Sequence, residues 1–122
     1  MEYKLIIPGR LPGLNEYVSA ERANRYKGAK LKSRSERIIS DEIAMQLKGI
    51  QIKNPVEMHY LWIERDMRRD RDNVAFAKKF VQDALVGARV LANDDCKHVV
   101  GFSDRFGVDK DNPRIEITIR EV

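Results

Sequence analysis

Residues 56–88 read VEMHYLWIERDMRRDRDNVAFAKKFVQDALVGA, and the way this stretch divides decides the fold. Val56–Glu64 follows Pro55 and is rich in β-branched and aromatic side chains, the signature of a strand. From about Asn73 to Ala88 the apolar residues Val74, Ala77, Val81, Ala84, Leu85 and Ala88 fall on one helical face. Between strand and helix lie Asp66, Asp70 and Asp72 among Arg65, Arg68, Arg69 and Arg71. A solvated turn accounts for such a run, and so does a site that takes a metal with its acids and a polyanion with its bases.

Working outward, residues 2–7 form a short apolar strand closed at Pro8, and a second turn signal comes at Pro12-Gly13. Residues 15–49 have helical character, with a break expected around Gly28. Ile38, Ile39, Ile43, Met45 and Leu47 recur near helical spacing, and Gly49 marks the stop. Beyond the second helix, Lys97–Val108 reads as a strand and residues 109–113 (DKDNP) as a hairpin loop. Arg114–Glu121 alternates apolar and charged residues as a half-buried strand does. The predicted order is β-α-β-α-β-β. That is an α+β single domain over residues 1–122, a mixed sheet of about four strands packed against two main helices.

The chain has 122 residues, 43% hydrophobic and 34% charged, with a net charge of +4. This is a globular composition, and the positive balance suits an acidic partner. Cys96 is the only cysteine, so no internal disulfide forms and a reducing compartment is expected. One cysteine with only His59 and His98 argues against structural zinc. The N-terminal apolar run is too short for a secretion signal, and no stretch approaches the roughly 20 apolar residues that span a bilayer. A cytoplasmic protein without a membrane partner is expected.

Between Arg22 and Arg37 seven bases (Arg22, Arg25, Lys27, Lys30, Lys32, Arg34 and Arg37) stand against the single acid Glu36. Like charges at this density repel one another unless a polyanion neutralises them, which is how phosphate-binding surfaces look. A solvated helical face gives the same pattern. Asp70 and Asp72 share a face in extended backbone, and hard cations such as Mg2+ take one or two protein carboxylates beside water and substrate phosphate. Asp94 and Asp95 supply a third acid if the chain returns after the helix. Each of these acids also has a plain structural use, Asp72 as a helix N-cap and Asp94 and Asp95 in a polar turn. Lys79, near two helical turns beyond Asp72, is placed to meet a substrate phosphate or a leaving oxygen. No phosphate-cradling Gly-rich loop and no Ser or Cys nucleophile setting is present, against nucleotide kinases and covalent hydrolases.

The segment from Arg68 to Asp95 resembles the core of the RusA family of Holliday-junction resolvases, largely of phage or prophage origin. The resemblance rests on Asp70-Arg71-Asp72-Asn73, on Lys79 ahead of Asp83-Ala84-Leu85, and on Asp94-Asp95. The PGRLPGLNEY stretch is similar to the family's Pro-rich start, with Asn15 the matching polar residue. This chain carries about one extra helical turn between Asn73 and Asp83, so Lys78 is the fallback for Lys79, and either Asp94 or Asp95 can be the third acid. The resemblance implies a homodimer that binds branched DNA, the four-way junction, and makes paired Mg2+-dependent nicks. Asp70, Asp72, Asp94 or Asp95 and Lys79 would be catalytic, with the acids holding the metal. The bases Arg22, Arg25, Lys27, Lys30, Lys32, Arg68, Arg69 and Arg71 and the polar Asn15 would lie on DNA. A non-catalytic DNA-binding module and a metal-dependent hydrolase of small nucleotides are the alternatives.

Overall fold

The alternation in Arg114–Glu121 is realised residue by residue: Ile115, Ile117 and Ile119 are buried, while Glu116, Thr118 and Arg120 point to the other face. The computed structural model describes residues 1–122. Its elements are β1 (Glu2–Pro8), α1 (Leu14–Ala23), α2 (Arg25–Gln46), β2 (Val56–Glu64), α3 (Arg71–Ala75), α4 (Lys78–Gly87), β3 (Val99–Val108) and β4 (Arg114–Glu121). This is the expected α+β domain with a four-stranded mixed sheet, and each expected helix is divided in two.

The strands lie in the order β1-β4-β2-β3. β4 runs antiparallel to both β1 and β2, in registers that set Ile117 opposite Leu5 on one side and Tyr60 on the other. β3 runs parallel to β2, from Val56 opposite Val99 to Glu64 opposite Val108. One expectation falls with this topology. Residues 109–113 do not close a hairpin, because β3 and β4 are separated by β2. β4 is paired on both sides, and the edges are β1 and β3. The α3–α4 crossover makes β2 and β3 parallel, and the only vacant slot beside β2 is then taken by β4. On the β1 edge, Gln46 of α2 substitutes for a strand: its amide donates to Ile6 O at 2.7 Å and its oxygen accepts from Ile6 N at 2.8 Å.

The helices cover one face. Leu5, Ile7, Met58, Tyr60, Trp62 and Ile117 meet Ile39, Ile43, Val81 and Leu85 in one apolar cluster. Tyr60 and Trp62 stack with ring centroids 5.3 Å apart, and Gln82 donates to the buried Tyr60 hydroxyl at 3.1 Å. Burial pushes the Tyr60 phenol pKa up, so it stays protonated.

The helix break expected at Gly28 lies at Asn24, whose extended backbone ends α1 and whose side chain accepts from Lys27 N at 2.8 Å to cap α2. Gly28 has a packing role instead: a Cβ there would stand 2.5 Å from Glu21 Cγ of α1. The other division falls at Phe76 and Ala77, where Ala77, Lys79 and Phe80 bond to carbonyls three residues back. Such turns are tighter than α-helix and rotate α4 relative to α3. No helix is long and apolar enough to cross a membrane.

Because Ile117 is fully buried between Leu5 and Tyr60, Ile117→Ala is expected to cost about 2–5 kcal/mol. Thr118→Ala, on the opposite face, is expected to stay within about 0.5 kcal/mol. Urea unfolding midpoints of the two variants check the difference.

Candidate functional site

The charged run after β2 is organised by Arg69. Its guanidinium makes a two-pronged pair with Glu64, Nε to Oε1 at 2.8 Å and Nη2 to Oε2 at 2.9 Å. It also donates to Leu11 O at 3.0 Å and to Glu16 Oε1 at 3.2 Å. The Arg69 and Glu64 side chains are 12% and 10% exposed, so this pair stands at the edge of the core. Burial opposes the charge on Arg69, and the hydrogen bonds and negative charges of Glu64 and Glu16 together outweigh it, so the pKa is raised. Arg69, expected on DNA, is thus spent internally. Glu64 has its charge masked in the sequence by the apolar strand that it ends.

Asn73 makes the second tie. It is buried, its side-chain oxygen accepts from Asn15 N at 2.8 Å, and a Cβ on Gly13 would lie 2.6 Å from that oxygen. Asn15 therefore meets the Asp-x-Asp-Asn segment through its backbone, and its exposed side chain stays free. Together Arg69 and Asn73 hold the β1–α1 loop against residues 69–73.

Between these ties stands Asp70. It occupies the N-cap position of α3 without capping it, is exposed, and makes no side-chain hydrogen bond or ion pair. Its carboxylate lines a cavity of about 280 Å3 shared with Glu64, Asp66, Arg71 and Phe106. Asp72, in the first turn of α3, is also exposed, and it accepts only from the neighbouring Asn73 N at 3.0 Å. The N-cap role that would have explained Asp72 structurally is not the one it occupies.

The third acid lies elsewhere. In the parallel β2–β3 pair the end of β2 that leads to Asp70 and the start of β3 that comes after Asp95 are at opposite ends, about 26 Å apart along eight residues of strand. Asp94 bends part of the way back and meets Lys79 at 3.5 Å; Lys79 also holds Asp83 at 2.9 Å. The hydrogen bond to Asp83, helped by the charges of Asp83 and Asp94, raises the Lys79 pKa against desolvation. Asp95 bonds His98 Nδ1 at 2.6 Å and accepts from Lys97 N and His98 N. No group of three His, Cys, Asp or Glu side chains is placed to hold a metal, so the fold does not bring Asp70, Asp72, Asp94 and Asp95 together. Asp70 alone of these acids lines the cavity; the face expected to be shared by Asp70 and Asp72 in extended backbone is not formed, because residues 71–75 are helical and side chains two apart do not meet on a helix.

Lys78, the fallback, pairs instead with Asp104 on β3, and its ammonium lies 3.7 Å from the Phe102 ring centroid. Asp104 also accepts from Trp62 Nε1 at 2.8 Å. Asp104 joins the site's surroundings only through the β2–β3 register, which sets it opposite Tyr60.

The basic helix divides cleanly. Lys32 turns to Asp83 on α4 at 3.6 Å. Lys27, Lys30 and Arg34 form no ion pair and line a groove of about 340 Å3 with Arg10, Leu11 and Ser35. Arg37 extends this stripe. Arg10 reaches Glu64 at 3.9 Å, and Leu11 is the residue held by Arg69, so the groove adjoins the Asp70 cavity. Arg22 and Arg25 are exposed near the α1–α2 break, Arg68 lies within 3.8 Å of Asp66, and Arg71 is exposed without a carboxylate partner. No protein-family model matches the chain, and no curated protein matches it.

Arg69→Ala strands the Glu64 carboxylate at the core edge and is expected to cost about 3 kcal/mol, read as a lowered urea midpoint; Glu64→Gln in the same chain is expected to restore part of it. His98 hydrogen bonding holds the Asp95 carboxyl below its usual range. Its contribution to stability is therefore present above the ordinary carboxylate pKa and is lost as pH falls through the lowered value. His98→Ala is expected to raise the Asp95 titration, monitored by NMR, toward the ordinary range, the backbone donors of residues 97 and 98 keeping part of the shift.

Proposed function

We propose that this protein is a RusA-type, Mg2+-dependent endodeoxyribonuclease that nicks four-way DNA junctions. The observation that carries the reading is the juxtaposition of an unpaired carboxylate, Asp70, with unpaired cations on both sides: Lys27, Lys30 and Arg34 in the groove, Arg71 at the cavity. An uncompensated acid beside uncompensated bases is what a site needs to hold a cation and a phosphodiester together.

In this reading Lys27, Lys30, Arg34 and Arg37 neutralise backbone phosphates without regard to sequence. The stripe from Lys27 to Arg37 runs about 15 Å along α2, enough to track a strand for a few nucleotides. Asp70 would hold Mg2+, with Asp72 one helical step further on as the next nearest acid in the chain, and the ion would supply Lewis-acid polarisation of the phosphodiester. Arg71 steadies the phosphate's charge from the same turn. Arg69 positions Asp70 without touching substrate, because its guanidinium is filled by Glu64, Glu16 and Leu11. A two-fold homodimer would supply the second nick, and the unpaired outer edge of β3 is the strand edge left for it.

The second reading, a non-catalytic DNA-binding module, is favoured by the internal use of Asp94 on Lys79 and of Asp95 on His98. A nicking assay separates the two. With a synthetic four-way junction and Mg2+, the wild type is expected to give paired nicks and linear duplex none. Asp70→Asn is expected to abolish nicking while leaving junction binding intact or tighter, since a charge that repels phosphate is gone. Nicking that survives Asp70→Asn would remove the enzyme reading. Lys30→Ala with Arg34→Ala is expected to weaken binding to all DNA alike and to lower the salt slope by about 2, measured by titration at several salt concentrations.

A further inference from the structure

Phosphate contacts account for the groove along α2 but not for the Asp70 cavity, whose walls are of two kinds. One side is apolar, formed by Phe106, Val74 and the 81%-exposed Met67; the other carries Asp66, Asp70 and Arg71. At about 280 Å3 it is at the small end of ligand pockets, suited to one ring system rather than a whole nucleotide. Phe106 is half-buried on edge strand β3, facing the helices beside Trp62. The Arg71 guanidinium lies 5.2 Å from its ring centroid.

A sheet aromatic with an arginine plane over it is a surface on which unpaired bases stack. A base inside a duplex has both faces covered and cannot use it. Phe102, four residues earlier on the same face, is not equivalent. Its ring is covered at 3.7 Å by Lys78, which Asp104 pins in place. Arg71 has no such carboxylate and is free to turn from the ring to a flanking phosphate. Charge agrees with this occupant, because Arg71 lines the cavity without a carboxylate partner.

The geometry points to the cavity as a pocket for one unpaired nucleobase, stacked on Phe106, with its own phosphate drawn to Arg71 beside Asp70. This rests on the reading of the protein as a DNA-binding nuclease and adds how it selects its substrate. A strand is taken up where pairing is interrupted, as at a branch point, rather than along continuous duplex.

The test uses the full chain in EDTA, so that no cleavage is needed, with a duplex carrying a single unpaired 2-aminopurine as a bulge. A fully paired duplex of the same length is the second arm. The wild type is expected to change the 2-aminopurine fluorescence on binding and to bind the bulged duplex more tightly. Phe106→Leu, which keeps an apolar side chain against the core, is expected to abolish that change and weaken bulge binding about 10-fold, leaving paired duplex unaffected. Phe106→Tyr is expected to retain both properties, and Phe102→Leu to change neither. Wild-type binding of both duplexes with equal affinity and no fluorescence change overturns the pocket and leaves the nuclease reading standing. An equal loss on both duplexes in Phe106→Leu also overturns it. Absence of binding to either duplex overturns both.

Discussion

The Arg69–Glu64 pair is the constraint on which the site depends. Glu64 ends the central strand that carries Tyr60 and Trp62, and its charge lies where the core gives way to the charged run. A carboxylate so placed is costly unless its oxygens are filled, and Arg69 fills both. That leaves Arg69 with donors for Leu11 and Glu16, which draw the β1–α1 loop and the start of α1 onto the turn after β2. The groove on α2 and the cavity at Asp70 become neighbours because this one guanidinium joins strand, loop and helix. Removing it would separate cations from carboxylate without touching either.

Around that anchor the acids sort themselves by whether they have a partner. Asp83 has Lys32 and shares Lys79 with Asp94, Asp95 has His98, Asp104 has Lys78 and the Trp62 indole, and Asp66 has Arg65 and Arg68. These pairs fasten α2 to α4, α4 to the loop before β3, and α4 to β3. Asp70 has no partner and Asp72 only its neighbour's backbone. In a chain this rich in charge, an exposed acid left alone among arginines is where an external cation or anion changes the balance most.

Much of this was legible in the sequence. The alternation in residues 114–121, the aromatic run 56–64 and the apolar face of 74–88 gave strands and helices because burial of one face leaves a periodic trace. The pairing did not show. That β4 inserts between β1 and β2, rather than folding back on β3, depends on which slots the parallel crossover leaves open, and no local pattern records that. The break at Asn24 was misplaced to Gly28 because a glycine that serves close helix packing looks the same in sequence as one that ends a helix. At the site, Asp70 and Asp72 stood out by composition, whereas Glu64 and Arg69 were hidden, one inside an apolar strand and the other among like-charged neighbours. The meeting of Asp94 or Asp95 with Asp70 was expected from chain return alone, but parallel pairing returns the chain at the far end of the strand.

The position of β4 bears on how the protein is made. The strand that joins β1 to β2 comes after every other element in the chain, so as synthesis proceeds β1 has no sheet partner. Its apolar residues Leu5 and Ile7 must wait until residues 115–119 emerge. The sheet is thus closed by its most distant contacts, Glu2 opposite Arg120 among them, an arrangement associated with slow folding and with exposed strand edges in the interval. Partial chains are the vulnerable species, and a stop anywhere before Arg114 would release a β1 with nothing to pair with.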